Sequence, residues 1–216
     1  MAKNQQDSIR AEKLREELKN SRVVLAMSQI RTHFVFNILN AISGMCEDDP
    51  QKADETLVMF SHYLRSNINI MEEDEPETFT KSLEHLEEYV FLEQMRFGEK
   101  IQFAKKIEAD NFKIPPLILQ PLVENAIRHG LLHKKQGGTV SLHTWAENGD
   151  SIIEISDDGV GFDMANAQGQ ESVGMKNVRF RLKYMVGGTM DIKSTPGQGT
   201  TVTITIPGKH KIQDTE

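Results

Sequence analysis

The segment Ile152-Ile153-Glu154-Ile155-Ser156-Asp157-Asp158-Gly159-Val160-Gly161-Phe162 reads as a strand of branched apolar residues ending in an acid and an Asp-x-Gly-x-Gly pattern. Glycine tolerates positive φ and lets a ligand approach the backbone. A carboxylate at a strand end accepts a hydrogen bond from an exocyclic amine such as that of adenine. Taken alone, the same residues also suit a hairpin turn. The flanking sequence adds further signals. Asp163 to Ser172 is small, polar or glycine-rich, the composition of a mobile lid. Val173-Gly174-Met175-Lys176-Asn177 puts a glycine at the opening of a helix, whose unpaired N–H groups and dipole favour phosphate. Pro196-Gly197-Gln198-Gly199-Thr200-Thr201 returns glycines and hydroxyls just before a closing strand.

Upstream lies Pro115-Pro116-Leu117-Ile118-Leu119-Gln120-Pro121-Leu122-Val123-Glu124-Asn125-Ala126-Ile127-Arg128-His129-Gly130. In its helical part Glu124 and Arg128 are one turn apart on one face, with Asn125 beside them among apolar neighbours. An amide oxygen suits Mg²⁺, a guanidinium engages phosphate, and a carboxylate accepts a proton or orients a nucleophile. A surface ion pair beside an unrelated Asn explains this segment equally well when it stands alone.

Strand-like segments are expected at Ile101 to Ile107, Thr139 to Glu147, Ser151 to Ser156, Gly188 to Thr195 and Thr200 to Pro207, with helices at Leu117 to Leu132 and Met175 to Val186. This mixture lacks regular βαβ alternation, which predicts an α+β layer structure with a mixed, mainly antiparallel sheet.

The first half is helical. From Ser8 to Met45 there is no proline, and Leu14, Leu18, Ser21, Leu25, Ser28, Thr32, Val35, Leu39 and Ile42 recur in steps of four and three, a heptad seam that calls for a partner helix. Asp48-Asp49-Pro50 ends this helix. A second one is expected from Gln51 to Ile70, with Ala53, Leu57, Phe60, Leu64 and Ile68 on one face, and a third from Ser82 to Phe97, with Leu83, Leu86, Val90 and Leu92 in the core. The acidic run Glu72 to Glu75 reads as a solvated linker. The expected division is 1–75 as a helical domain, 76–111 as a connecting helix and first strand, and 112–216 as the mixed domain.

The 216 residues carry 32 acids against 25 bases, a net charge of −7, which argues against direct nucleic-acid binding. With 38% hydrophobic residues the chain can bury a sizeable core. No apolar run reaches a bilayer span, and the polar start MAKNQQDSIR is not a secretory signal, so a cytoplasmic location is expected. Cys46 stands alone, which excludes an internal disulfide and a CxxC site.

Taken in order, the four glycine-bearing and polar elements between residues 112 and 207 resemble the N, G1 and G2 boxes of the GHKL ATPases, the Bergerat fold of histidine kinases, gyrase and MutL. The resemblance implies ATP and Mg²⁺ as ligands. Asn125 would coordinate Mg²⁺, and Asp157 would read the adenine amine. Gly159 and Gly161 would shape the pocket, Gly174 and Met175 would lie at the phosphates, and Thr200 would support the adenine side through water. Arg128 would meet phosphate, His129 adjoins the same site, and Glu124 is the candidate general base.

Gln29-Ile30-Arg31-Thr32-His33-Phe34-Val35-Phe36-Asn37-Ile38-Leu39-Asn40-Ala41-Ile42 is similar to the phosphoacceptor segment of LytS/YehU-type sensor histidine kinases, and Tyr89 to Gly98 resembles the same subfamily. His33 would be the phosphoacceptor. With Thr32 on the seam, His33 lies about 100° round the helix and is reachable from outside. Asn37, one turn on, can bond the ring or position water. The family usually has proline before the histidine; Thr32 stands there instead and gives a more regular helix. The acid that follows the histidine in many histidine kinases is Phe34 here, which shifts the base role to Glu124.

The resemblance further implies a homodimer built on a four-helix bundle, a response-regulator receiver domain as phosphoryl acceptor, and a membrane link only through a preceding segment. Two other readings compete: a GHKL serine kinase or ATPase that does not use His33, and a non-catalytic nucleotide-binding dimer.

Overall fold

The computed structural model describes residues 32–70, 75–164 and 172–208. The chain divides into two compact units, Met1–Asp74 and Glu75–Glu216.

In the first unit, helix α1 (Thr32–Asp48) and helix α2 (Pro50–Ile70) are separated by Asp49 alone. Asp49 Oδ1 accepts from the Lys52 N–H at 3.1 Å, and Pro50, whose fixed φ suits the first helical position, starts the second helix. Phe34, Ile38 and Ile42 of α1 are buried with Ala53, Thr56, Phe60 and Tyr63 of α2, and the Phe34 and Tyr63 rings meet at 5.4 Å. The hairpin closes on a face beside the predicted seam, which calls for a partner helix of its own. Leu39 and Leu57 of the predicted stripes are exposed, as are Phe36 and Val58, because α1 and α2 each carry a second apolar stripe alongside the one that closes the hairpin. The part of the predicted seam before residue 32 lies outside the described residues.

The second unit opens with a two-residue strand β1 (Glu77–Thr78), then helix α3 (Phe79–Phe97) and strand β2 (Ile101–Ile107). Helix α3 starts three residues earlier than the sequence suggested, because Thr78 Oγ1 accepts from the Lys81 N–H and caps it. Gly98, at φ 60°, ends it. Strand β3 (Lys113–Ile114) pairs antiparallel with β1, a small sheet that no sequence signal announced. Phe79 and Phe112, each at most 1% exposed, stack at 5.0 Å and fasten this sheet to α3.

Next come helix α4 (Leu119–Asn125), prolonged by a π-helical turn (Ala126–Gly130) and a 3-10 turn (Leu131–His133), then strands β4 (Gly138–Glu147) and β5 (Asp150–Asp157). Helix α5 (Val173–Arg181), extended by a second π-helical turn (Leu182–Val186), precedes β6 (Thr189–Thr195) and β7 (Gly199–Ile206). The main sheet has the order β2-β4-β5-β7-β6, with β2 and β4 parallel and the other neighbours antiparallel. This is the α+β class with the mixed, mainly antiparallel sheet read from the sequence.

The core lies between one face of that sheet and the helices. Val140, Leu142, Ile153, Ile155, Val202 and Ile204 meet Leu122, Ile127, Leu131, Val178 and Leu182, all buried. Strand β5 is central, so the residue at its end is enclosed by β4 on one side and β7 on the other. Among the described residues, no helix is long and apolar enough to cross a membrane.

The Phe79–Phe112 stack makes a stability prediction. Phe112→Ala should lower the unfolding free energy by about 3–5 kcal/mol. A urea titration followed through Trp145, the single tryptophan and part of this unit, measures it. A loss below about 1 kcal/mol would mean the stack does not fasten the small sheet.

Candidate nucleotide site

Asp157 is the last residue of β5, paired with Val140 on one side and Thr200 on the other. It is 9% exposed, and its Oδ1 accepts the Gly159 N–H at 2.8 Å. Burial pushes its carboxyl above the ordinary aspartate value; the neighbouring Asp158 charge adds to this, while the N–H groups of Gly159 and Thr200 oppose it.

The glycines around this carboxylate are required by space. A Cβ at Gly130 would lie 2.6 Å from Asp157 Oδ1, and one at Gly159 would lie 2.4 Å from the Gly130 backbone. Gly161, at φ 58°, would drive a Cβ to 2.1 Å from the Thr195 carbonyl. The turn between them is held from outside: Lys134 Nζ donates to the Asp158 carbonyl at 2.6 Å, and Asp158 Oδ1 accepts from the Thr139 N–H at 3.0 Å. The Thr200 hydroxyl is 3.0 Å from Ser194 Oγ, which also accepts the Phe162 N–H at 2.9 Å.

Asp157 borders a cavity of about 580 Å³ between the sheet and helices α4 and α5. Of the residues singled out from the sequence, Asn125, His129, Asp157, Gly161, Met175 and Thr200 line it. Gly159 stands behind Asp157 and shapes it indirectly. Glu124 and Arg128 form an ion pair at 3.2 Å on α4 and its π-helical turn and are not among the lining residues. Gly174 is also outside the lining set. A Cβ there would meet only Ser172 Oγ, at 3.9 Å, so packing does not require glycine at this position. Helix α5 is opened by Ser172, whose hydroxyl accepts from the Met175 N–H at 3.4 Å, one residue ahead of the segment quoted from the sequence. Residues 165–171, most of the expected lid, lie outside the described residues.

The sequence reading missed three contributors. Gly130 was visible as a glycine inside a helical pattern, the usual sign of a close backbone approach. Ser172 carried an N-cap signal, whereas Ser194 gave none. The motif at Tyr89 to Gly98 supplies a buried carboxylate, Glu93, 3% exposed and raised by burial. Arg96 at 3.5 Å and the Tyr89 hydroxyl at 3.2 Å oppose this, and the Glu124 charge adds to it.

In the first unit His33 is exposed, and Asn37 Nδ2 lies 2.9 Å from its Nδ1. Phe34 beside it is committed to Tyr63.

This pairing of a solvent-facing histidine on a helical hairpin with a glycine-lined carboxylate cavity has relatives. Residues 21–101 match the family described as histidine kinase, and residues 115–210 match the family of histidine kinase-, DNA gyrase B- and HSP90-like ATPases. The chain belongs to the histidine kinase family. The second match makes its second unit an ATPase-family domain, which implies ATP binding.

Sensor histidine kinase YpdA of Escherichia coli is 36% identical over 209 residues, covering 93% of this chain and 36% of the relative. Sensor protein LytS of Oceanobacillus iheyensis is 34% identical over 164 residues, covering 74% and 28%. YwpD of Bacillus subtilis is 34% identical, covering 83% of this chain and 67% of the relative. The chain thus spans about a third of the length of the sensor kinases it matches. The fold resembles the histidine kinase domain of the blue-light activated kinase EL346 from Erythrobacter litoralis, with a TM-score of 0.54 at 18% identity over 91% of this chain and 97% of that one.

The raised Asp157 carboxyl has a pH signature in this kinase. The folded state binds that proton more tightly than the unfolded chain, whose value is about 3.9. Below the unfolded value the site costs nothing. As pH rises through the raised folded value, burying the charge destabilises the protein. Asp157→Asn should therefore raise the melting temperature of the ligand-free protein at pH 8, with the gain shrinking as pH falls to 4. Scanning calorimetry across that range checks it, and a gain that stays constant would mean the carboxyl is not raised.

Proposed function

We propose that this chain is the kinase core of a sensor histidine kinase of a two-component system. It phosphorylates His33 from ATP and passes the phosphoryl group to an aspartate of a response-regulator receiver domain. The observation that carries this reading is the buried Asp157 carboxylate, packed against Gly130 and Gly159 at the wall of a cavity, in a chain that also presents an exposed, hydrogen-bonded histidine.

The cavity fits ATP. A carboxylate accepts a hydrogen bond from the amine of adenine, and the close packing of Gly130 and Gly159 holds that carboxylate at the cavity wall. Apolar Ile155 and Val202, both on the sheet, supply faces for a planar ring. For Mg²⁺ the fit is partial in a way that suits a nucleotide-borne ion. Among the described residues no group of three or more His, Cys, Asp or Glu could hold a metal, so Asn125 would supply one amide oxygen while phosphates and water complete the shell. When bound, the ion neutralises phosphate charge.

The chain's own residues define the rest of the chemistry. The Asn37 amide nitrogen faces Nδ1 and donates to it, which puts the proton of the neutral ring on Nε2. Turning the amide over lets its oxygen accept from Nδ1–H and leaves the lone pair on Nε2, the form that attacks phosphorus. In the reactive form Nε2 bonds to the γ-phosphorus, the bond to the bridging oxygen breaks and ADP departs. The phosphorylated ring keeps its Nδ1 proton on Asn37. When a receiver aspartate oxygen then bonds to phosphorus, the P–N bond breaks and neutral imidazole returns. Phe34 is packed in the hairpin, so no acid follows the histidine. Glu124, paired with Arg128, takes the role of base for the form in which Nε2 carries the proton.

Exposed Phe36, Leu39, Leu57 and Val58 on the hairpin fit burial against a second copy in a four-helix dimer. A segment preceding the kinase core, as in a longer receptor, would link it to a sensor and membrane.

Two measurements test this. Incubation with labelled Mg·ATP should give acid-labile, alkali-stable label on the wild type and none on His33→Gln; label that persists would point to a kinase or ATPase that does not use His33. Asn125→Asp should weaken Mg·ATP binding by tenfold or more, on the order of 1.4 kcal/mol, with the dimer retained. An unchanged titration would count against the pocket.

A further inference from the structure

Helix α5 carries two arginines whose guanidinium groups donate to backbone carbonyls. Arg179 meets the Met190 carbonyl at the start of β6, and Arg181 Nη1 meets the Pro116 carbonyl at 2.7 Å, 65 residues away in sequence. Pro116 is buried, so its carbonyl needs a partner, and the next residue is strained. Leu117 has φ 56°, a left-handed conformation disfavoured for a residue with a Cβ. Ile118, which precedes α4, gives that helix no side-chain cap. The start of α4 is therefore set by a strained turn whose carbonyl is held by a side chain from α5. Strain of this kind persists where surrounding structure over-determines it.

What the bond joins is specific. Helix α4 brings Asn125 to the cavity and, one turn on, carries Arg128. Helix α5 contacts α4 and brings Met175 to the same cavity. Asp157, Gly159 and Thr200, the base side, are fixed by the strand ladder, by Lys134 and by Gly130, which the Val160 N–H ties to the turn after β5; none of these contacts involves Arg181. We propose that Arg181 is a positioning residue whose bond to Pro116 sets the spacing of α4 and α5, and with it the phosphate half of the nucleotide site, while leaving the base half to the sheet. This rests on the nucleotide reading given above. Arginine suits the task because its planar fork is preorganised, whereas a lysine ammonium is a flexible point donor.

The test compares adenosine with Mg·ATP by isothermal titration calorimetry on the full chain. The wild type should bind Mg·ATP more tightly than adenosine. Arg181→Ala should weaken Mg·ATP about tenfold, as expected for losing a charged hydrogen bond, and leave adenosine within about twofold. Its His33 labelling rate should stay reduced at saturating ATP, and Arg181→Lys should recover part of both losses. Leu117→Gly provides an arm that does not depend on removing the guanidinium. It relieves the strain, so its unfolding midpoint should hold or rise while Mg·ATP affinity falls and adenosine affinity does not. If the variants lose both ligands in parallel, or lose neither, the positioning role is overturned while the nucleotide reading stands. A wild type that binds neither ligand overturns that reading and this inference together.

Discussion

The interaction on which this architecture depends is the burial of one carboxylate, Asp157, at the end of the central strand. A carboxylate 9% exposed needs donors, and the structure supplies the Gly159 and Thr200 N–H groups from the adjoining turn and the strand alongside. Those donors require the chain to double back tightly. The doubling back in turn requires that Gly130 and Gly159 carry no Cβ, since either would collide within 2.6 Å. The glycine pattern is thus the space left around one charged group. The strand order β4-β5-β7 places the residues flanking it in fixed register.

Helix α4 answers the same constraint from the other side. Residues 126–130 leave the α-helical path for a π-helical turn, and its last residue, Gly130, lies against Asp157. Such turns insert an extra residue per turn and re-aim the helix beyond them. Here the widening comes directly after Asn125 and includes Arg128, His129 and Gly130, so the residues at the cavity rim and the glycine under the carboxylate come from a single distortion. The Val160 N–H bond to the Gly130 carbonyl closes the contact.

How much of this was legible in the sequence depends on the physics of each element. The five strands of the main sheet were readable to within a residue or two. β4 and β7 alternate buried and less buried residues, and β5 is mostly buried around its isoleucines. β2 and β6, with one buried residue each, were marked by their β-type composition and the turns around them. Gly159 and Gly161 were readable because they follow an acid at a strand end, whereas Gly130, inside a helical pattern, gave no sign of the carboxylate it packs against. Which face closes the hairpin was not readable, for a definite reason. α1 carries Phe34-Ile38-Ile42 and, offset from it, Val35, Phe36 and Leu39, and periodicity alone cannot say which stripe faces the partner within the chain. The sheet of β1 and β3 spans two residues per strand, too short for any pattern. The roles of Ser194, Arg181 and Pro116 depend on contacts between residues 6 to 65 positions apart, and such contacts leave no local trace.

On the proposed reading, nucleophile and nucleotide are carried by different units, and their environments differ accordingly. His33 is exposed and oriented by one amide, on a helix whose inward stripe is already committed to Tyr63 and its neighbours. Asp157 sits nearly dry, held by backbone donors. An exposed imidazole reacts only when a phosphoryl group is brought in line with it, and holding two reactants in register is worth far more than any single contact, about 7–11 kcal/mol in well-aligned cases. Dividing the reactants between units leaves that term to their encounter. A signal that alters the helical hairpin can then change the rate without altering the nucleotide pocket, which keeps the buried carboxylate and its glycines out of the regulatory motion.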